Sequence, residues 1–174
     1  ALQLGHLEKN FIDALIQKRV TSLAWEFIED KVGGMPIIRS MSEIAGSTVM
    51  LIAAEYLSSI HDGKGIILGG ITGVPPTKVV IIGAGTVAEY AARAALSLGA
   101  EIQVFDNHLY KLRRIKHTLG HQFYTSTIDT VTLGDSLMTA DVVIGALRAE
   151  KGRARHVVSE EMVSRMKPNS LIID

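Results

Sequence analysis

The sequence predicts an α/β fold with a doubly wound parallel sheet, on three observations. Apolar strands and amphipathic helices alternate throughout residues 77–174 with short connections, which is typical of parallel βα units. The first and last strands are nearly continuous apolar runs, as expected where helices cover both faces of a sheet. The sixteen glycines of the chain are typical of tight turns and close backbone approaches. The predicted strands are residues 78–82, 101–106, 122–125, 141–144 and 170–174, and the predicted helices are residues 86–98, 109–119, 133–138 and 160–166.

The first 40 residues have a different pattern. Residues 8–18 carry apolar side chains at helical spacing, and residues 20–28 alternate loosely, which predicts a strand. One helix and one strand cannot bury a core alone. We therefore expect residues 1–40 to be the remnant of an N-terminal catalytic domain, in a chain trimmed from a longer protein.

A long helix and a linker are predicted to connect the two parts. Ser40 and Glu43 fit a capping box, which predicts a helix over residues 41–59. Residues 63–76 are rich in glycine and end in two prolines, which indicates a packed linker. We expect residues 41–76 to form an interdomain helix and linker, before a dinucleotide-binding domain in residues 77–174.

Composition and charge exclude several classes of function. The chain has 174 residues, zero formal net charge and no cysteine, so it lacks a basic surface for nucleic acid and cannot use thiolate chemistry. The basic cluster in residues 111–116 is interpreted as a solvated helix face. The longest glycine-free apolar run, residues 49–54, is too short to span a membrane, and no signal peptide is visible. We expect a cytoplasmic location and neither nucleic-acid nor membrane partners.

A glycine motif follows the first strand of the α/β domain. It reads Gly83-Ala84-Gly85-Thr86-Val87-Ala88, a GxGxxG pattern with alanine in the third place. The first glycine allows a tight turn, the second lets the backbone approach a pyrophosphate, and the alanine lets the helix pack closely on the strand. The N–H groups that begin the helix then face the phosphates, helped by the helix dipole. The motif predicts a Rossmann-type dinucleotide site.

A carboxylate stands at the end of the second strand. Asp106 lies 23 residues after Gly83, where an acid accepts hydrogen bonds from ribose hydroxyls and repels a 2′-phosphate. NAD is therefore the expected cofactor. Two alternatives remain on the pattern alone: the glycines make a plain turn and Asp106 caps the next helix, or the domain binds another nucleotide. The scattered histidines have no suitable partners, so we expect no metal site.

The residues also resemble a known family. Met41-Ser42-Glu43-Ile44-Ala45-Gly46 resembles the start of the long interdomain helix in alanine dehydrogenases. It is similar, more loosely, to the same segment in the nucleotide-binding subunit of proton-translocating transhydrogenase. Residues 63–70, 78–106 and 166–170 continue in the family's order. The resemblance implies a two-domain enzyme that transfers hydride between L-alanine and NAD, giving pyruvate and ammonia.

The resemblance also implies roles for individual residues. It places Ser42 on the nicotinamide side, Lys111 near the adenosine ribose and Ser126 at the adenine pocket. Ala146 and Leu147, in the loop after the fourth strand, would line the cofactor groove, although a plain turn explains their pattern equally well. The expected cofactor-binding residues are Ser42, Gly83, Ala84, Gly85, Thr86, Val87, Ala88, Asp106, Asn107, Lys111, Ser126, Ala146 and Leu147.

The chain departs from the alanine dehydrogenase pattern where the catalytic groups are expected. Gln3 stands where those enzymes have a catalytic histidine, and their substrate-binding lysine and arginine belong to a region before this chain. Their catalytic aspartate falls beyond Asp174. We therefore expect no catalytic residue here and NAD(H) binding without turnover.

Two alternatives for the parent protein stay open. One is the transhydrogenase subunit, because Gln3 in the place of the histidine resembles that branch. The other is a non-catalytic regulatory protein that responds to nucleotide, which the loss of the histidine also favours. The apolar helix over residues 41–59 makes us expect a homo-oligomer.

Overall fold

The computed structural model of the chain describes residues 8–148 and 156–174. The chain divides into two compact units, Ala1–Ser42 and Glu43–Asp174. In the first unit, helix α1 spans Lys9–Gln17 and a single 3₁₀ turn spans Trp25–Phe27. Helix α2, Pro36–Leu57, begins in this unit and continues into the second.

The strand predicted over residues 20–28 is wrong. The segment is irregular apart from the 3₁₀ turn at Trp25–Phe27. A strand needs a neighbouring strand to satisfy its backbone N–H and C=O groups, and the described part of this unit offers none. Loose alternation therefore did not suffice to make a strand here.

The predicted start of α2 is also wrong. The helix begins at Pro36, not Met41, because proline fits the first helical position, where its missing N–H costs no hydrogen bond. Ser40 is consequently inside the helix, and its hydroxyl donates to the carbonyl oxygen of Pro36 at 3.0 Å. The capping box predicted at this position does not form.

Helix α2 combines a long apolar sequence with a buried face. Among the described helices, it is the one long and apolar enough to cross a membrane by length and composition. Counting uninterrupted apolar runs missed this property, so the absence of a membrane span stays a prediction. Core helices share such composition, and Val49, Met50, Ala53 and Leu57 are buried in the core of the second unit.

The second unit is built on a parallel sheet with strand order β3-β2-β1-β4-β5. This order and the flanking helices confirm the doubly wound α/β fold of the Rossmann type. The described strands are β1 Lys78–Ile82, β2 Glu101–Phe105, β3 Tyr124–Ser126, β4 Val142–Gly145 and β5 Leu171–Ile173. The helices that follow β1 to β4 are α3 Thr86–Ser97, α4 Leu109–Leu119, α5 Thr130–Thr139 and α6 Glu160–Ser164.

Both faces of the sheet are covered. Successive side chains of a strand point to opposite faces. In β1, Val79 and Ile81 join the core formed with α2, α3 and α4, whereas Val80 and Ile82 join the core formed with α5 and α6. The strand order reverses between β1 and β4. The carboxyl ends of these two strands therefore mark the place where open α/β sheets bind ligands.

Helix α5 is longer than predicted because of its cap. It begins at Thr130 rather than Leu133. The Asp129 carboxylate accepts hydrogen bonds from the backbone N–H groups of Val131 and Thr132, at 3.1 and 3.0 Å. Such a cap satisfies N–H groups of the first turn that have no partner within the helix. Apolar periodicity alone does not locate it.

Candidate functional site

The loop of residues 83–85, here called the glycine loop, leaves β1 and leads into α3. Gly83 has a φ of +116°, and a Cβ there would collide with the backbone carbonyl of Ala146. The Gly83 N–H donates to the carbonyl oxygen of Phe105 at 2.6 Å, and the Ala146 N–H donates to that of Ile82 at 2.8 Å. Glycine at 83 is therefore required by the close approach of the loops after β1 and β4.

Gly85 differs from Gly83 because the fold does not require a glycine there. Its φ of −83° and ψ of −164° suit any residue. No described atom lies within 4 Å of the position that a Cβ would take. No described side chain caps α3, whose first N–H groups begin directly after Gly85. This open space at Gly85, here called the cradle, lies beside N–H groups suited to an anion.

Asp106 connects the glycine loop to the start of α4. Its side chain is 3% exposed. One carboxylate oxygen, Oδ2, accepts a hydrogen bond from the Ala84 N–H at 2.9 Å, and the other, Oδ1, accepts one from the His108 N–H at 2.7 Å. The His108 Nδ1 lies 3.0 Å from Oδ1, and the Lys111 Nζ lies 3.9 Å from Oδ2.

These contacts decide the charge of Asp106. Burial raises the pKa of this carboxyl, but the backbone hydrogen bonds from His108 and Ala84, the His108 ring and the Lys111 ammonium outweigh it and lower the pKa below its ordinary value. Asp106 is therefore ionised at neutral pH. A carboxylate has about four acceptor positions. The Ala84 N–H, the His108 N–H and the His108 ring occupy three of them, which leaves one for a ribose hydroxyl.

Two adjoining clefts lie along the carboxyl edge of the sheet. The first, of about 290 Å³, is lined by residues of the β1, β4 and β5 ends, among them Leu147 and Asp174. The second, of about 170 Å³, is lined by residues after β2 and β3, among them Asn107 and Asp129. His156 lines both clefts. An extended ligand could therefore lie across the strand ends.

Most of the predicted site residues meet at this edge. The glycine loop, Asp106 and Lys111 are in contact as described, and Leu147 lines the first cleft beside Ala146. The Asn107 side-chain oxygen accepts a hydrogen bond from the Ile128 N–H at 3.1 Å and so joins the loops after β2 and β3. Thr86, Val87 and Ala88 form the first turn of α3, and Ala88 is fully buried.

Two predicted residues remain. The Asp106 N–H donates to the Ser126 carbonyl oxygen at 3.2 Å, so Ser126 lies beside Asp106. Ser126 ends β3 and lines a separate shallow cleft with Leu109 and Leu112 of α4. Ser42 belongs to the first unit, and its hydroxyl donates to the Ile38 carbonyl oxygen at 2.9 Å. Their assignments to the adenine pocket and the nicotinamide stay predictions. Gln3 lies outside the described residues.

Sequence reasoning missed Arg114 and His156. Arg114 was interpreted as part of a solvated helix face, yet its guanidinium donates to the Ala84 carbonyl oxygen at 3.1 Å. Its spacing of three residues from Lys111 puts both on one face of α4, a signal that could have located it. His156 follows no strand directly, so no comparable signal exists. Within the described residues, no group of His, Asp or Glu side chains could hold a metal.

Curated relatives are alanine dehydrogenases. The chain is 38% identical over 167 residues to alanine dehydrogenase from Bacillus subtilis (strain 168) and 36% identical over 162 residues to that from Mycolicibacterium smegmatis. These alignments cover 96% and 93% of this chain but 44% of each relative. The chain thus spans less than half the length of the relatives it matches.

Solved structures agree with these relatives. An L-alanine dehydrogenase structure superposes with a TM-score of 0.87 at 31% identity, covering 94% of this chain and 45% of that one. A transhydrogenase from Sinorhizobium meliloti superposes with a TM-score of 0.65 at 23% identity, covering 78% of this chain and 39% of that one. The second likeness shows the shared fold alone.

The family itself is shown by a match over most of the chain. Residues 49–174 match the family described as alanine dehydrogenase/PNT, C-terminal domain. This match confirms the resemblance drawn from the sequence, and the family implies a nicotinamide cofactor. The chain belongs to the alanine dehydrogenase/PNT C-terminal domain family.

Proposed function

We propose that this chain is the NAD(H)-binding domain of an L-alanine dehydrogenase, which converts L-alanine, NAD⁺ and water to pyruvate, ammonia and NADH. The observation that carries the proposal is the open space at Gly85, where no described neighbour requires a glycine, beside the N–H groups that begin α3. The names of the curated relatives support the substrate.

The described residues offer partners for the pyrophosphate and the adenosine ribose of the cofactor. The N–H groups at the start of α3 bind the pyrophosphate, and Gly85 lets the phosphates approach the backbone. Asp106 accepts a hydrogen bond from the adenosine ribose. Leu147 lines the first cleft at the carboxyl edge. Bound nicotinamide supplies the hydride chemistry. The protein's contribution here is to hold the cofactor in one orientation, which lowers the entropic cost of reaction.

NAD is the proposed form of the cofactor. The proposal rests on the ionised Asp106 at the end of β2, where its negative charge repels a 2′-phosphate. Lys111 reduces this repulsion, since its ammonium lies 3.9 Å from the carboxylate. The ratio of NADH to NADPH affinity measures whether the Asp106 carboxylate or the Lys111 ammonium dominates at the 2′-phosphate.

The transhydrogenase subunit is the weaker candidate for the parent protein. Its structure matches at a lower TM-score and lower identity than alanine dehydrogenase, 0.65 against 0.87 and 23% against 31%. We therefore place the protein in the dehydrogenase branch.

A cytoplasmic location and self-association complete the proposal. On α2, Ile44, Leu51 and Tyr56 are 66%, 69% and 54% exposed. Exposed apolar side chains on one helix favour burial against another surface, and a homo-oligomer would provide it. Analytical sedimentation of the purified chain tests the proposed self-association.

The test of cofactor binding is a calorimetric titration of the chain with NADH and NADPH. We compare wild type with Gly85→Ala and with Gly134→Ala as a matched control, because both glycines have no described atom within 4 Å of the added Cβ. Gly85→Ala should weaken NADH binding about a hundredfold, because the methyl group fills the phosphate cradle. Its free energy of unfolding should change by less than about 1 kcal/mol.

The control defines the contradicting results. Gly134→Ala lies within α5 and should bind NADH like wild type. No binding of either nucleotide by wild type would overturn the proposed function and favour a non-catalytic role. Equal binding by Gly85→Ala and wild type would remove the observation on which the proposal depends.

A further inference from the structure

Both ends of the Ala84 residue in the glycine loop are held by side chains. The Ala84 N–H donates to Asp106 Oδ2 at 2.9 Å, and the Ala84 carbonyl oxygen accepts a hydrogen bond from the Arg114 guanidinium at 3.1 Å. The second contact fixes the peptide group that joins Ala84 to Gly85. It comes from α4, 30 residues along the chain.

Arg114 is itself held in place. Its guanidinium lies 3.8 Å from a carboxylate oxygen of Glu89 on α3. The Glu89 side chain is 14% exposed, and its other oxygen pairs with Arg93 at 3.2 Å. The Arg114 side chain is 46% exposed. It therefore contributes to the loop through directed contacts, with little burial of its own.

The orientation of this peptide group matters for an anion. In a trans peptide the C=O and the N–H point in opposite directions. A carbonyl held toward α4 by Arg114 therefore turns the Gly85 N–H away from α4. Glycine lowers the cost of rotating an adjacent peptide group, because it tolerates most backbone angles. Without the guanidinium, the carbonyl could turn into the cradle, where its partial negative charge would repel phosphate.

We propose that Arg114 is a positioning residue, which fixes the Ala84–Gly85 peptide so that its N–H, and not its carbonyl, faces the pyrophosphate. This inference deepens the proposed function and rests on it. Arg114 acts through the backbone and touches no substrate. Its guanidinium provides two or more N–H donors in a fixed plane, a geometry that lysine cannot reproduce.

The experiment compares Arg114→Met, Arg114→Lys and the control Arg113→Met in the full chain. Arg113 is the neighbouring exposed cation on the same helix, so its loss changes the charge equally. NADH affinity is measured by calorimetry and thermal unfolding by circular dichroism. The Gly85 amide is followed by ¹⁵N NMR, a readout that a merely structural role would not move.

We expect Arg114→Met to bind NADH about tenfold more weakly, with Arg113→Met within twofold of wild type. The free Arg114→Met chain should show a shifted or exchange-broadened Gly85 amide. Arg114→Lys should resemble Arg114→Met, because its charge is kept but its directed contact is lost.

Three results would overturn the inference. They are equal affinities of Arg114→Met and Arg113→Met, full rescue by lysine, or a Gly85 amide unchanged in Arg114→Met. If Arg114→Met does not fold, Glu89→Gln replaces it, because it removes the carboxylate that pairs with Arg114. A smaller loss of NADH affinity is then expected, and no loss would overturn the inference. Failure of wild type to bind NADH would instead reject the proposed function.

Discussion

Two buried aspartates stand at opposite edges of the same sheet. Asp106 follows β2 at the carboxyl edge, and Asp141 precedes β4 at the amino edge, with side chains 3% and 11% exposed. Asp141 Oδ1 lies 3.2 Å from the Lys64 ammonium and 2.8 Å from that of Lys167. Its Oδ2 accepts a hydrogen bond from the Lys78 N–H at 3.0 Å.

The partners of the two carboxylates indicate the role of each one. Two ammonium groups neutralise Asp141 and join the linker and the segment between α6 and β5 to the sheet, so this carboxylate serves the fold. Asp106 is held by two backbone N–H groups and the His108 ring, with one ammonium at a longer distance. Its proposed role is to bind the ribose of the cofactor. Burial of a carboxylate therefore does not distinguish the two roles, whereas the nature of its partners does.

The largest expected effect is a loss of stability at the amino edge of the sheet. Asp141→Asn removes the charge that two lysines share and should lower the free energy of unfolding by about 2–3 kcal/mol, with NADH affinity unchanged. Urea denaturation measures the loss. Asp129→Asn is the control, because asparagine caps a helix as well as aspartate does. A loss of NADH affinity in Asp141→Asn would contradict the division of roles.

The next largest expected effect is a loss of NADH affinity at the carboxyl edge of the sheet. Asp106→Asn keeps an acceptor oxygen but removes the charge, so NADH binding should weaken about tenfold, or about 1.4 kcal/mol. The preference for NADH over NADPH should narrow at the same time, because the 2′-phosphate is no longer repelled. Titration with both nucleotides measures the two changes. An unchanged preference would show that Asp106 does not select the cofactor.

The smallest effect is the dependence of stability on acid pH. Burial raises the pKa of Asp141, but the hydrogen bonds from Lys167, Lys78 and Lys64 outweigh it and lower the pKa, as also holds at Asp106. Their contribution is complete above the unfolded pKa of about 3.9 and is lost as pH falls through the lower folded values. Below about pH 4, Asp141→Asn should therefore lose less stability than wild type in urea titrations. Equal losses of stability in wild type and Asp141→Asn on acidification would contradict this account.

The sequence predicted those parts of the fold and site that depend on local pattern. The glycine loop and Asp106 each follow a strand directly, and their chemistry can be inferred from neighbours in the sequence. The contact between Arg114 and Ala84 depends on how α4 packs beside α3, which no local pattern encodes. The division of work between Asp106 and Asp141 likewise depends on distant lysines.

Local patterns also gave wrong boundaries where two signals competed. The capping-box match at Ser40 obscured Pro36, which is a better start for α2. Apolar alternation in residues 20–28 predicted a strand, although a strand is stable only beside a partner. Asp129 could have been recognised as a cap from its position before Thr130, which would have placed the start of α5 correctly.

The Lys64–Asp141 ion pair has a consequence for the order of folding. It joins residues 77 positions apart, so the loop it closes is long and forms late compared with neighbouring βα contacts. During synthesis, the segment from β1 to β3 emerges before Asp141 is available. Lys64 in the linker therefore has no Asp141 partner until β4 joins the sheet.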